Sequence, residues 1–202
     1  MELLAIRHGT VVESHRSRFL GGGTDVPLSE VGQHETLHLS KALANVRPAR
    51  LMVSPLRRAR ETALALNRVW GLELEIVPAL RELDMGRLEG TEPSDLQRLE
   101  PEFYRLWREN PGSARFPEGE SIEDLQQRLV PWVETLRSDP SGTVVAVTHL
   151  YVILTLLCLF SGLPLQRLRS LFLQSSSVTR WTLGATGSAD RLTLMNWCPA
   201  PF

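Results

Sequence analysis

Four side chains in this sequence suit work on a phosphorylated compound, and each stands at or just beyond the end of a short apolar run. Arg7 and His8 follow Leu3 to Ile6, Arg58 lies shortly after Leu51 to Val53, and His149 closes the run from Val144 to Thr148. An arginine presents a planar fork of donors that fits phosphate oxygens, and a neutral imidazole can attack phosphorus as a nucleophile. Gly9 lets the chain turn tightly beside the first pair and bring its N–H to an anion. Singly, each residue has a plainer explanation, since an Arg-His pair at a strand end is commonly a surface ion-pair partner. Together they require a scaffold that carries four separate chain positions to one place.

An open sheet of parallel strands does this, because right-handed crossovers bring all the carboxyl ends to one edge, where ligands bind. The first ten residues read as a buried strand, Arg50–Val53 and Leu74–Val77 as two more, and Gly142–Thr148 as a central parallel strand with a continuous β-branched run. Val178–Leu183 and Leu192–Trp197 read as late strands. Ser29 is placed to cap a helix whose apolar face is Val31, Leu37, Leu39, Leu43 and Val46, ended by Arg47-Pro48. Ser54 and Pro55 are placed as cap and first residue of a second helix. Arg57, Arg58 and Arg60 in its first turns oppose the macrodipole, which an anion held there offsets. The loop from His15 to Asp25 is either a solvated connector or, through Gly21, Gly22 and Gly23, an anion nest. Residues 92 to 110 form one or two short helices over the site, with Phe103, Tyr104, Leu106 and Trp107 either packing or lining a cavity. Ser121 to Asp124 begins a helix running to about Arg137, and Leu150–Leu159 is a buried helix.

With 202 residues and no break in composition, the chain is expected to form one domain, residues 1–202. A net charge of −1 argues against a general nucleic-acid or membrane binder. Cys158 and Cys198 provide neither a disulfide framework nor a metal-ligand spacing, and the amino terminus lacks the pattern of a secretory signal, so a cytoplasmic location is expected.

Taken in order, these residues resemble the histidine phosphatase superfamily, the phosphoglycerate mutase-like fold. The resemblance rests on Arg7-His8-Gly9, Asp25 to Ser29 followed by Gly32, Ser54 to Ala63, Leu80-Arg81-Glu82 with Gly86 and Glu89-Gly90, Gly119-Glu120-Ser121, and Val147-Thr148-His149. It implies a three-layer α/β/α sandwich around a mostly parallel sheet, with a lid-like segment at about 91–116. It also implies that His8 becomes phosphohistidine, that Arg7, Arg58 and His149 hold the transferring phosphoryl oxygens, and that Glu82 is the proton donor. His8 then needs its second ring nitrogen on a backbone carbonyl, and Glu82 needs a partly dry pocket. The chain departs from the pattern after Arg-His-Gly, where Thr10 to Ser14 replace the usual acid or amide, Thr or Ser, and Asn. Thr10 and Ser14 are assigned the polar contacts of that segment. Bulky Leu150 and Tyr151 follow His149 in place of a small residue, and Ile153-Leu154 stand where an arginine is usual.

The function expected is hydrolysis of a small organic phosphate by a phosphoric monoester hydrolase that uses no metal and no cofactor, its positive charge coming from side chains. Leu20, Gly21 and Leu150 join Thr10 and Ser14 as substrate contacts, and Leu88, Phe103, Trp107 and Phe116 hint at a bulky or apolar leaving group. The partner expected is a small phosphorylated metabolite, with no nucleic acid and no membrane. The tail Trp197 to Phe202 packs either across a homodimer or on the chain's own body. A cofactor-dependent mutase and a non-catalytic phosphate-binding module are the alternatives; the compact stretch from Thr91 to Phe116 favours hydrolysis over the former.

Overall fold

A computed structural model describes residues 1–12, 18–138, 142–184 and 189–199. Successive side chains of a strand face opposite sides of a sheet, so an unbroken apolar run needs cover on both. In β1 (Glu2–Arg7) and β4 (Thr143–Thr148), Leu3, Ala5, Val144 and Ala146 enter one core, while Leu4, Ile6, Val145 and Val147 enter the other. Helices α1 (Glu30–Ala42) and α2 (Arg57–Asn67) close the second core, through Leu39 and through Ala59, Ala63 and Leu66. The first is closed by α5 (Ile122–Ser138) and α6 (Leu150–Ser161), preceded in the chain by the short α3 (Leu96–Leu99) and α4 (Pro101–Glu109). With β2 (Arg50–Val53), β3 (Leu74–Ile76), β5 (Val178–Thr182) and β6 (Arg191–Trp197), the sheet order is β3-β2-β4-β1-β5-β6. The first four strands in that order are parallel, and β5 and β6 run antiparallel at one side. This is the α/β sandwich expected.

Strand register decides what the carboxyl edge presents. Arg7 pairs with Thr148 and Val53 with Val147, so His8, His149 and Ser54 all emerge just past neighbouring strands. The ladder continues one step into the turns, with His8 N–H donating to Thr148 O at 3.0 Å and Ser54 N–H to Val147 O at 3.0 Å. The two imidazoles are therefore placed side by side by backbone pairing alone.

Several local expectations need correction. Ser29 does cap α1, its hydroxyl accepting from Gly32 N–H at 3.0 Å, but the helix ends at Ala42 and Val31 is 59% exposed. The reason lies in Gly32: a Cβ there would sit 2.0 Å from Thr10 O, so small residues form the face that meets the chain leaving β1. Ser54 is not the cap of α2, which starts at Arg57 after Leu56. The anion at that helix start is Asp25, whose Oδ1 accepts from Arg57 N–H at 2.5 Å, so no ligand is needed to offset the arginines. The glycine loop is not an open nest either: Gly22 N–H donates to Leu83 O at 2.8 Å and Gly23 N–H to Glu89 Oε1 at 2.6 Å. Phe103 and Trp107 pack on Phe116, with ring centroids 4.6 and 5.1 Å away, while Leu106 faces solvent. α6 runs to Ser161 and is buried over most of its length, and among the described residues no helix is long and apolar enough to cross a membrane.

Candidate active site

His8 sits at the carboxyl end of β1 with its Nδ1 2.8 Å from Gly9 O. A carbonyl only accepts, so Nδ1 carries the proton and Nε2 keeps its lone pair. Burial holds this imidazole well below its ordinary value of 6.5, and the nearby Arg58 and Arg7 charges push the same way. Gly9 is glycine for packing: a Cβ there would meet Gly32 O at 2.8 Å, and its N–H donates to Thr62 Oγ1 at 3.1 Å rather than to an anion. His149 lies 5.1 Å away between ring centroids, its Nε2 hydrogen-bonded to Ser54 Oγ at 2.6 Å. It too is held well below 6.5, by burial and then by Arg58.

The arginines are held by carbonyls. Arg58, fully buried in the first turn of α2, donates from Nη1 to Thr24 O at 2.7 Å and from Nη2 to Gly21 O at 3.1 Å and Leu20 O at 3.4 Å. The loop read as a connector or nest therefore grips a cation through its carbonyls. Arg7 Nη1 donates to Leu173 O. Burial lowers both guanidinium values, partly offset by Glu82.

Glu82 reaches the site from the turn after β3. That turn is pinned by Thr148 Oγ1 donating to Leu80 O at 2.7 Å and by Arg128 of α5, which donates to Ala79 O at 2.7 Å and Arg81 O at 2.9 Å. The carboxyl accepts from Leu83 N–H at 2.9 Å and Tyr151 N–H at 3.3 Å. Burial raises it above 4.5 despite those donors and both arginines.

These groups stand at a cavity of about 580 Å³. Arg7, His8 and Glu82 line it, and so do Thr10, Leu20 and Leu150 among the expected substrate contacts. Arg58 and His149 are not on its wall and have no solvent exposure. Gly21 is buried with its carbonyl on Arg58, and Ser14 lies outside the described residues. Leu88, Phe103, Trp107 and Phe116 belong to the core, so the apolar wall is made instead by Val11, Phe19, Met85, Tyr151 and Phe172. The residues not singled out from sequence are Ser54 in its contact with His149, Thr62, Arg128 and Glu35. The first two do stand in the Ser54 to Ala63 motif, whereas Arg128 and Glu35 carry no local signal.

A buried imidazole with a free Nε2, two carbonyl-held guanidinium groups and a buried carboxyl at a parallel-sheet edge suit phosphoryl transfer. The family comparison agrees: residues 3–197 match the histidine phosphatase superfamily, branch 1, and the chain belongs to that superfamily. A probable phosphoglycerate mutase from Photorhabdus laumondii is 30% identical over 181 residues, 89% of this chain and 84% of the relative. Among solved structures, a mycobacterial glucosyl-3-phosphoglycerate phosphatase superposes with a TM-score of 0.85 at 27% identity, covering 98% of this chain and 99% of that one. It has also been solved with VO3 and with inorganic phosphate. A putative α-ribazole-5′-P phosphatase from Escherichia coli shares the fold at 23% identity and a TM-score of 0.87, covering 98% of this chain and 96% of that one.

Proposed function

We propose that the chain is a metal-independent phosphomonoesterase that works through a phosphohistidine on His8. The observation that carries this reading is the His8 Nδ1 contact with Gly9 O, which leaves Nε2 as the free base among Arg7, Arg58 and His149. Nε2 attacks phosphorus, the bond to the leaving oxygen breaks, and Glu82 gives that oxygen its proton. Water then attacks phosphorus, Glu82 takes the proton, and the P–N bond breaks to free neutral His8 and inorganic phosphate. Arg7 Nε, on a residue of the cavity wall, is buried without a hydrogen-bond partner among the described residues, capacity suited to a phosphoryl oxygen; Arg58 Nε and His149 Nδ1 are likewise unpartnered and lie behind that wall.

Hydrolysis is favoured by the way residues 91–116 fold. Phe103 and Trp107 anchor this segment in the core, and only Pro93 of it lines the cavity, so it does not close over His8 and water has access. The names of the curated relatives support a second reading, a phosphoglycerate mutase. A mutase shows transfer dependent on a bisphosphate primer, whereas a hydrolase frees phosphate from p-nitrophenyl phosphate without one.

The decisive test uses ³²P-labelled substrate, with the protein quenched in denaturant. Label that survives alkali and is lost in acid marks phosphohistidine. His8→Ala is expected to lose the label and at least about a thousandfold in turnover while keeping its circular dichroism. Undiminished turnover in that variant would falsify the assignment.

A further inference from the structure

Beyond the phosphate-binding base, the cavity wall offers little to a second anion. Its charged side chains there are Arg18 and Glu35 among the described residues. Arg18 donates from Nη1 to Gly90 O at 2.7 Å and stands 3.9 Å from Glu92, so one of its donors is used and its charge is partly offset. Glu35, from α1, is a fixed carboxylate: Thr10 donates to it through its N–H at 2.9 Å and its hydroxyl at 2.8 Å, and Ser176 through its hydroxyl at 3.4 Å. These contacts occupy one acceptor position on Oε1 and two on Oε2, so among the described residues Oε1 keeps a free lone pair. The Ser176 N–H in turn donates to His8 O at 3.2 Å, which ties the carboxylate to the strand end that carries the nucleophile. Glu35, Gln174 and Ser175 also line a neighbouring cavity of about 660 Å³, so the carboxylate stands where the two cavities adjoin.

A negative group held here repels a carboxylate or second phosphate on the leaving group and accepts from a hydroxyl or ammonium. We propose that the leaving alcohol of the substrate is uncharged or cationic, carries a hydrogen-bond donor that meets Glu35, and that Glu35 is the residue that turns away substrates with a second acid group. This rests on the phosphatase reading for its chemistry, but it assigns the substrate class to a residue outside the reacting centre. It also sets this chain apart from any protein whose substrate is a phosphoglycerate.

The test compares sn-glycerol 3-phosphate with D-3-phosphoglycerate, which share a three-carbon skeleton and differ mainly in CH2OH against carboxylate. Each is measured as an inhibitor of p-nitrophenyl phosphate hydrolysis, and by calorimetry on the unmodified enzyme, a readout that needs no turnover. The glycerol ester is expected to bind about tenfold or more tightly. Glu35→Gln is expected to draw the two constants together whatever happens to either alone. Equal constants in the unmodified protein, including two too weak to measure, or an unchanged ratio in Glu35→Gln, overturn the proposal. Should that variant not fold, the ratio in the unmodified protein decides by itself. Failure to hydrolyse p-nitrophenyl phosphate at all overturns the phosphatase reading instead, while the calorimetric ratio still judges this one.

Discussion

At the base of the cavity the functional side chains are held largely by backbone: Arg58 by three carbonyls, His8 by the Gly9 carbonyl, and Glu82 by two amides. At the rim the arrangement is different. Thr10 is held by the side chain of Glu35 from a separate helix, Arg18 reaches across to Gly90, and Phe172 stands 69% exposed. The base is buried and the rim is exposed. Groups that must meet a transition state with developing charge gain most from fixed positions in a low-dielectric setting, whereas groups that sort leaving alcohols need only be present and suitably charged. The comparison predicts that substitutions at the base act on the rate of the chemical steps, and that substitutions at the rim act on how tightly one leaving group is bound relative to another.

The largest effect within this contrast is expected from Glu82→Gln, which keeps the shape and removes the proton. Rates on an alkyl phosphate, whose leaving oxygen needs that proton, should fall by about 10²–10⁴-fold. The value of kcat/KM for p-nitrophenyl phosphate, which reports the first step alone and has a leaving group stable as an anion, should fall far less, whereas kcat falls for both because Glu82 also activates the water of the second step. The pH profile supplies the sign. On the proposed mechanism His8 must be neutral, and its value lies well below 6.5, so the acid limb lies below the ordinary histidine range. Glu82 must be protonated for the first step, and its value lies above 4.5, so activity on alkyl esters falls as pH rises through that raised value. Glu82→Gln should erase this alkaline limb and keep the acid one. The substrate's own second ionisation, near about 6, is common to both enzymes and cancels in the comparison. An alkaline limb that survives in the variant assigns it to another group.

Much of the base was legible in the chain because its residues lie at the end of, or one step beyond, unbroken apolar strands that a parallel sheet buries on both faces. Arg7, His8 and His149 follow directly from β1 and β4, and the requirement for a carbonyl on His8 Nδ1 is met by Gly9. What could not be read was the use of polar groups over long sequence separations. Ser54 has the form of a helix cap, Ser-Pro after a strand, and its true partner His149 is 95 residues away. Arg128 looks like a surface residue of an amphipathic helix, yet it holds the turn that carries Glu82. The glycine loop was ambiguous for a related reason: composition shows that a backbone is free to bond an ion, and not whether its carbonyls or its amides do so. The apolar wall was misplaced because Phe103, Trp107 and Phe116 fill the core beside the cavity, a distinction only packing makes.

Ser54→Ala probes the base at the hydrogen bond between the Ser54 hydroxyl and the His149 ring. It should destabilise the protein by about 1 kcal/mol, because a buried ring nitrogen loses its partner. It should also lower kcat by about tenfold with KM little changed, as the His149 ring is freed to turn. Thermal unfolding and steady-state kinetics on the same preparation separate the two effects. A lower kcat without a loss of stability places Ser54 among the reacting groups rather than behind them.

The smallest effect is expected at the rim. Phe172 is 69% exposed, so Phe172→Ala should leave stability within about 0.5 kcal/mol. Its ring nonetheless lines the cavity with Tyr151 and Val11, and a leaving group with an apolar face covers part of it on binding. Covering a few tens of Å² of apolar surface at about 25 cal/mol per Å² corresponds to about a threefold change in affinity. KM for p-nitrophenyl phosphate should therefore rise about threefold in the variant, while KM for sn-glycerol 3-phosphate, which has no comparable apolar face, should stay unchanged. A parallel rise for both esters means that Phe172 acts on the phosphate end, and the division between a base that sets rate and a rim that sets preference then fails at this position.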